Sequence, residues 1–383
     1  MGAVPLAQGR TVSPDPLTTT PRAKRGAAMV TYIIRRLILA VPALIFISFI
    51  IFMIVKLSPS DPTANLPLTI PPEVREQIRE SLGVNEPLVG QYLRWARMMF
   101  ITEPLIMLED ALCRADRLPD RSMPEGCWQV VPSDTSRIIS YQTRSPVFDL
   151  IAVSLPQTLW VVGTSYIVGI LIGVPLGIIS AYKQYSALDQ GATFFSMVGF
   201  SIPTFFTGTM AIIIFSVWTP TDAWWWLPSS YDTTHEINDW DSFVFQLQQM
   251  VMPMMVLGLY NAAQISRYMR ASMLDNLQQD YVRTARAKGM GERVVVLRHV
   301  LRNSLIPVVT VIALNVPAVF GGALITEQVF RVNGIGYQLI QAIRGADVPL
   351  VQTISFIFAV LVVLFNLIAD VLYGILDPRI RYD

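Results

Sequence analysis

The sequence has few charged residues, two histidines, two cysteines and no phosphate-binding loop, and these shortages exclude several classes of protein. Only 15% of its 383 residues are charged and 52% are hydrophobic, which is too apolar for an ordinary soluble domain. His235 and His299 are far apart in the sequence and provide no clustered metal site. No GxxxxGK(S/T) motif is present, so the chain lacks a backbone cradle for nucleotide phosphates. The net charge of +1 and the lack of a basic stripe interleaved with aromatic residues leave nucleic-acid binding unsupported.

Residues 1–28 are rich in proline, threonine and small side chains, and they contain no apolar run long enough for a signal-peptide core. They are predicted to form a disordered cytoplasmic extension. Met29 stands directly before the first structured pattern, which suggests the hypothesis that translation begins there. N-terminal sequencing that finds residues upstream of Met29 would contradict this hypothesis.

Six apolar runs have the length of about 20 residues that a helix needs to cross a bilayer. None shows the alternation of a membrane β-strand, so the predicted fold is an all-α membrane protein with six transmembrane helices. Prolines inside the runs predict kinks rather than breaks. The runs are residues 37–55, 159–181, 192–217, 250–266, 305–325 and 353–375. The prolines are Pro42, Pro175, Pro203, Pro253 and Pro317.

The distribution of lysine and arginine predicts the orientation in the membrane, because short cytoplasmic loops carry an excess of both. These residues collect before the first run, between the second and third, in the segment 267–304 and at the C-terminus, whereas residues 218–249 contain none. Both termini are therefore predicted to be cytoplasmic.

This orientation divides the chain into four parts. After the extension, residues 29–57 form the first transmembrane helix and residues 58–150 an extended extracytoplasmic loop. Residues 151–383 form a core with five transmembrane helices and a cytoplasmic loop at 267–304. Helical spacing and aromatic residues at 71–100 predict short helices in the extracytoplasmic part.

The two cysteines, Cys113 and Cys127, both fall in the predicted extracytoplasmic loop. An oxidising compartment permits a disulfide between them, which would stabilise the loop by about 3 kcal/mol in the chain-entropy interpretation. The alternative is two unpaired thiols. Two alkylatable thiols in the intact protein would rule out the disulfide.

Two features, one inside the second apolar run and one just after the fifth, are candidates for packing or function. Gly169, Gly173 and Gly177 recur every four residues, a spacing that favours close helix packing over a substrate role. Glu327 lies near membrane depth, where an acidic group is expensive and often functional. The alternative for Glu327 is a structural carboxylate paired with an arginine, for which Arg331 is the nearby candidate.

The polar cytoplasmic segment 267–304 contains a candidate coupling element. Asp280 is a plausible N-cap, residues 281–288 a short helix, Lys288 a favourable cation in its last turn, and Gly289 a C-cap that tolerates a positive φ. Tyr281, Ala285 and Lys288 share a face at helical spacing. Ala285 and Ala287 keep the surface small enough to fit a partner's groove. An ordinary basic loop that obeys the positive-inside rule is the alternative, and the spacing alone leaves both interpretations open.

Several ordered motifs resemble one known family. The sequence TARAKG followed by LRHVLRNSLIP resembles the signature loop of permeases in binding-protein-dependent ABC importers, in the form found in the dipeptide, oligopeptide and nickel family. The similarity covers nearly the whole chain after Met29, because SPSDP, LGVNEPLVGQYLRW, LPQTLW, TEQVFRVNGIG and NLIADVLYGILDPRIR follow in the same order. Importers at large often begin the signature with Glu-Ala-Ala, whereas this sequence reads Arg283-Thr284-Ala285.

The resemblance implies a type I importer permease that moves short peptides and is not itself an enzyme. Its implied partners are a second homologous permease, two ATP-binding subunits that hold ATP and Mg²⁺, and an extracytoplasmic substrate-binding protein. The resemblance assigns ATPase coupling to Asp280, Tyr281, Ala285, Ala287, Lys288 and Gly289. It assigns an outer gate that meets the binding protein to Glu327, Phe330, Gly334 and Gly336.

Other cargoes and other mechanisms remain as alternatives. Related permeases carry nickel complexes, glutathione or oligosaccharides. An ion-coupled secondary transporter would use an intramembrane acid such as Glu327 or Asp370. A membrane-anchored scaffold would not transport anything. Co-purification with an ATPase distinguishes the importer from the last two.

Overall fold

The computed structural model of the chain describes residues 22–57, 71–81, 86–113, 137–232, 235 and 238–376. These residues form thirteen α-helices, and their only β feature is a single bridge between Ile139 and Pro146. The helices are α1 Arg22–Leu57, α2 Pro72–Ser81, α3 Leu88–Arg97, α4 Glu103–Cys113, α5 Val147–Tyr182, α6 Ala187–Ser201, α7 Thr204–Ile212, α8 Trp240–Leu277, α9 Asp280–Ala287, α10 Glu292–Val294, α11 Leu301–Phe330, α12 Ile335–Arg344 and α13 Val348–Leu376. Short π-helical segments are Met98–Thr102, Ile213–Val217 and Val295–Val300.

The predicted all-α membrane fold is confirmed. Within the described residues, α1, α5, α8, α13 and the segment Glu292–Pro317 are each long and apolar enough to cross a membrane. The bent pair of α6 and α7 supplies the sixth predicted span. The predicted boundaries at residues 29 and 151 do not coincide with helix ends, because α1 already begins at Arg22 and α5 at Val147.

The third span is broken at Pro203. Helix α6 ends at Ser201, α7 begins at Thr204, and their axes differ by 97°. Ile202 is extended, with φ −85° and ψ 127°, as a residue before proline prefers. The prediction of a kink in a continuous helix is therefore wrong here. The other four prolines lie inside helices, Pro42 in α1, Pro175 in α5, Pro253 in α8 and Pro317 in α11.

Helices α5 and α8 form the central pair of the bundle, and the glycine stripe of α5 lies against α8. A Cβ atom added to Gly177 would lie 2.6 Å from both Met269 Cβ and the Ser266 carbonyl oxygen. A Cβ on Gly173 would lie 2.8 Å from the Ala262 carbonyl oxygen, and one on Gly169 2.8 Å from Asn261 Cβ. The two backbones approach so closely that only hydrogen fits between them.

Helices α1 and α13 pack side by side with α3. Phe52, Trp95 and Phe356 belong to one buried aromatic cluster that joins the three helices. At the other end of α1, Arg36 Nη1 lies 2.7 Å from Asp370 Oδ2 of α13. The deep acid of the last span therefore has an arginine partner on the first span.

Candidate functional site

Helix α9 lies between α8 and the segment that leads into α11. It begins at Asp280 after an N-cap at Gln279, so the prediction of Asp280 as the N-cap is wrong by one residue. Lys288 is the C-cap, so the prediction of Gly289 as the C-cap is also wrong by one residue; Gly289 follows with a φ of +76°. The left-handed backbone after the helix suits glycine because an added Cβ would be strained there.

The inner face of α9 is anchored in the protein. Val282 is fully buried and Ala285 is 6% exposed, and both belong to one apolar cluster. Val295, Val296 and Val300 of the following π-helical segment are buried in the same cluster. The prediction that Ala285 shares an exposed face with Tyr281 and Lys288 is therefore wrong.

The outer face of α9 is exposed, and so are the other five predicted coupling residues: Asp280, Tyr281 and Ala287 in α9, and Lys288 and Gly289 directly after it. The Tyr281 hydroxyl donates a 2.7 Å hydrogen bond to Asn276 Oδ1 at the end of α8. Arg286 forms two hydrogen bonds, of 2.7 and 3.1 Å, with Glu292. These contacts fix a short helix that would be marginal alone and leave its outer surface free in this chain.

A groove that carries several polar side chains on a largely apolar wall runs beside the break in the third span. One cavity of about 410 Å³ is lined by the ends of α6 and α7 together with α8 and α11, and a second of about 550 Å³ adjoins it. Phe200 and Gln264 line both. The polar residues of the first cavity are Ser201, Thr204, Tyr260, Asn261, Gln264 and Asn315.

The sequence reasoning missed this groove. It assigned no role to Asn261, Gln264 or Asn315. Polar side chains at membrane depth face the interior of a bundle or a water-filled cavity. The presence of these three amides in apolar runs therefore indicated an interior site. The convergence of α8 and α11 with the ends of α6 and α7 on one groove follows only from the tertiary structure.

Glu327 is buried and has no arginine partner among the described residues. Thr158 Oγ1 donates a 2.8 Å hydrogen bond to Oε1, and the Tyr337 N–H donates one of 2.9 Å to Oε2. The Ile335 N–H in turn donates to Thr158 Oγ1 at 2.8 Å. Glu327 and Thr158 therefore cap the N-terminus of α12, where negative charge is favourable. Arg331 is exposed, so the alternative of an arginine-paired carboxylate is wrong for this residue.

The four predicted gate residues meet at the corner between α11 and α12, but none is accessible. Glu327 and Phe330 are each 1% exposed, and Gly334 and Gly336 are buried. A side chain on Gly334 would collide with Glu327 and Thr158, and one on Gly336 would lie 2.8 Å from Leu324 Cα. The prediction that these residues themselves contact a binding protein is wrong for this conformation, because all four face the interior.

Two further predictions concern cysteine and metal. Cys113 ends α4, whereas Cys127 lies outside the described residues, so the disulfide remains a prediction. In the part of the chain that the structure describes, no three histidine, cysteine, aspartate or glutamate side chains are grouped to hold a metal ion.

Comparison with known proteins supplies the family. Residues 173–382 match the family described as binding-protein-dependent transport system inner membrane component, and residues 29–118 match the N-terminal family of such membrane components. The chain belongs to this family of inner membrane components, and the resemblance drawn from its motifs is confirmed.

Three relatives illustrate the similarity. An oligopeptide transport system permease protein of Bacillus subtilis is 36% identical over 92% of this chain and 100% of its own length. A dipeptide transport system permease protein of Escherichia coli is 33% identical over 92% of this chain and 99% of its own length. A putative peptide transport system permease protein of Brucella abortus is 31% identical over 93% of this chain and its own full length.

Proposed function

We propose that this chain is the permease subunit of an ATP-driven importer that moves short peptides across the bacterial cytoplasmic membrane. Its family consists of inner membrane components of binding-protein-dependent transport systems. Three relatives named for oligopeptide, dipeptide or peptide transport align over nearly their whole length with this chain. Full-length similarity to permeases of one cargo class supports short peptides as the substrate.

The groove beside Pro203 is this subunit's half of the translocation route. Asn261, Gln264 and Asn315 lie on helices that cross the membrane, and exposing their amides to hydrocarbon would be costly. A second homologous permease that covers the groove would shield them while leaving a polar passage between the two subunits. An extracytoplasmic binding protein would deliver the peptide to this passage.

Helix α9 is the site where ATP hydrolysis on two partner subunits drives the permease. The observation that carries this assignment is its two-faced placement, with Val282 and Ala285 anchored in the bundle and the opposite face exposed. A rigidly anchored helix with an exposed outer face can transmit force from a groove on a partner. Asp280, Tyr281, Ala287, Lys288 and Gly289 supply the docking surface, while Ala285 acts from inside by holding the helix in place. ATP and Mg²⁺ would bind to the partner subunits.

The corner between α11 and α12 acts as one unit of the outer gate. Glu327 holds the first turn of α12, while Gly334 and Gly336 allow the carboxylate to approach the backbone. Movement of α12 would therefore carry the whole corner with it. This assignment places α9 and both termini on the cytoplasmic side and the corner on the outer side.

The coupling assignment is tested by replacing Ala287 with tryptophan in the complete transporter. Ala287→Trp places a bulky ring on the exposed face of α9, so ATPase subunits should no longer co-purify while the permease remains folded. Ala187→Trp is the matched control, because Ala187 is an exposed alanine at the start of α6, outside α9. Retention of the ATPase subunits by Ala287→Trp would contradict docking at α9.

Transport itself is tested in proteoliposomes that contain the complete assembly. Uptake of a labelled dipeptide or oligopeptide should require ATP inside the vesicles and the binding protein outside. Uptake that follows an ion gradient and ignores ATP would contradict the proposed function.

A further inference from the structure

The groove beside Pro203 offers polar side chains that no other described part of the chain satisfies. Its amides and its tyrosine hydroxyls form no side-chain hydrogen bond with another described residue; they belong to Tyr260, Asn261, Gln264, Tyr268 and Asn315. No nitrogen or oxygen atom of these side chains is sealed in the interior without a partner. The groups therefore reach the open space of the groove, where a ligand can meet them.

The free charge on the groove wall comes from one guanidinium. Neither cavity of the groove is lined by an acidic residue. Arg270 lines the second cavity, but the Asp189 carboxylate lies 2.7 Å from its Nε and neutralises it. Arg267 lines the same cavity and has no ion pair among the described residues. It lies within α8, which continues to Leu277. One unpaired cation on a wall without an acid favours an anionic group of a ligand.

Phe200 positions Arg267 at the boundary between the two cavities. Phe200 lines both cavities, and the guanidinium carbon of Arg267 lies 5.6 Å from the centre of its ring. The ring also stacks on Tyr260 with 5.9 Å between centroids. A cation–π contact uses the face of the guanidinium, so the N–H groups on its edge stay available. These N–H groups can bind a carboxylate in bidentate fashion.

Neutral amides continue the same wall away from Arg267. Gln264 lies about one helical turn before Arg267 on α8, and Asn261 lies about one turn further back. The rise along α8 from Arg267 to Asn261 is about 9 Å, which is the length of about two to three extended residues. A primary amide can both donate to and accept from a peptide bond. The spacing of these groups therefore fits a short peptide with an anionic end.

We propose that the groove binds a short peptide through its free C-terminal carboxylate at Arg267, with the amides of Gln264 and Asn261 on the peptide backbone. This inference rests on the proposed function, because it takes the groove as the translocation route. The same polar groups would be satisfied by side chains of the second permease if that subunit filled the groove instead of covering it. The two occupants differ in one measurable property, since only a peptide site distinguishes a free carboxylate from an amide.

Binding is measured as protection of a cysteine in the complete transporter in detergent. In a background with Cys113→Ala and Cys127→Ala, Ala271→Cys places a thiol on the groove wall one turn after Arg267. Trialanine should slow the reaction of this thiol with a water-soluble maleimide. Trialanine amide lacks the carboxylate and should need an about tenfold higher concentration, whereas N-acetyl-trialanine should protect as trialanine does. Ala187→Cys is the matched control, because Ala187 is exposed outside the groove, and no peptide should protect it.

Substitution of the arginine tests the same contact from the side of the protein. Arg267→Gln should raise the concentration of trialanine needed for half protection about tenfold and leave that of trialanine amide unchanged. Arg298→Gln replaces an exposed arginine outside the groove and should change neither value. The comparison of trialanine with its amide requires no change at Arg267, so it remains decisive even if Arg267→Gln folds poorly.

ATP-driven uptake of labelled trialanine in proteoliposomes separates this inference from the proposed function. If the unmodified transporter shows no such uptake, the proposed function itself fails. If uptake occurs but trialanine and its amide protect Ala271→Cys equally, the carboxylate site is wrong while the importer stands. Absence of protection by any of the three peptides would assign the groove to the second permease and would likewise overturn the proposal.

Discussion

Arg270 of α8 donates two hydrogen bonds to the Asp189 carboxylate of α6, from Nε at 2.7 Å and from Nη2 at 2.9 Å. Ser180 Oγ and the Tyr185 N–H donate to the same carboxylate, which is 3% exposed. The pair ties the first half of the broken third span to α8. Because α8 leads directly into α9, displacement of α9 would reach α6 through this contact.

Replacing Arg270 with methionine should destabilise the protein. The substitution leaves the Asp189 carboxylate buried without its cation, which typically costs about 3 kcal/mol or more. The midpoint of thermal unfolding of the purified protein should fall by several degrees. Arg267→Met is the control, because Arg267 lies three residues earlier on the same helix and is exposed. If both variants unfold at the same temperature, the pair does not stabilise the fold.

Replacing Gly177 with alanine should separate α5 from α8. The new methyl group would lie 2.6 Å from the Ser266 carbonyl oxygen, and backbone cannot move away as a flexible side chain can. We expect a loss of about 1–3 kcal/mol in the free energy of unfolding. Gly163→Ala in the same helix has no heavy atom within 4 Å of the added Cβ and should be tolerated. Equal stability of the two variants in thermal unfolding would contradict the close approach.

The sequence predicted those features that depend on local chemistry. Long apolar runs indicated the membrane spans because a helix in lipid satisfies its own backbone. The positive φ at Gly289 followed from its place after a short helix with a terminal lysine.

Features that depend on distant neighbours could not be predicted in the same way. Ala285 lies on the buried side of α9 because the tertiary fold brings Val295 and Val300 against that side. The partner of Glu327 is Thr158, 169 residues away in the chain, whereas sequence proximity suggested Arg331. A proline in an apolar run is compatible with a kink or a break, and packing of α7 against α8 and α11 accompanies the break at Pro203.

Replacing Glu327 with alanine should loosen the first turn of α12. The change leaves the Thr158 hydroxyl and the Tyr337 N–H without their acceptor, at a cost of about 1–3 kcal/mol for each buried donor. Hydrogen exchange of the amides of Ile335 and Tyr337 should accelerate by at least about tenfold. Glu292→Ala removes an exposed carboxylate from an ion pair and should leave α12 unchanged. Unchanged protection of α12 in Glu327→Ala would show that the carboxylate is not its cap.

Accessibility of the groove to water separates a translocation route from ordinary bundle packing. In a background with Cys113→Ala and Cys127→Ala, Gln264→Cys should react with a water-soluble maleimide in membranes, because thiolates form and react where water reaches them. Leu259→Cys lies on the same helix α8 at an exposed apolar position outside the groove, where lipid should exclude the reagent. We expect labelling of Gln264→Cys to be at least about tenfold faster. Substrate and ATP should change the rate for Gln264→Cys in the complete transporter, since alternating access would open and close the groove. Equal and slow labelling at both positions would mean that the amides face a sealed interior, and the proposed route would then have to lie elsewhere.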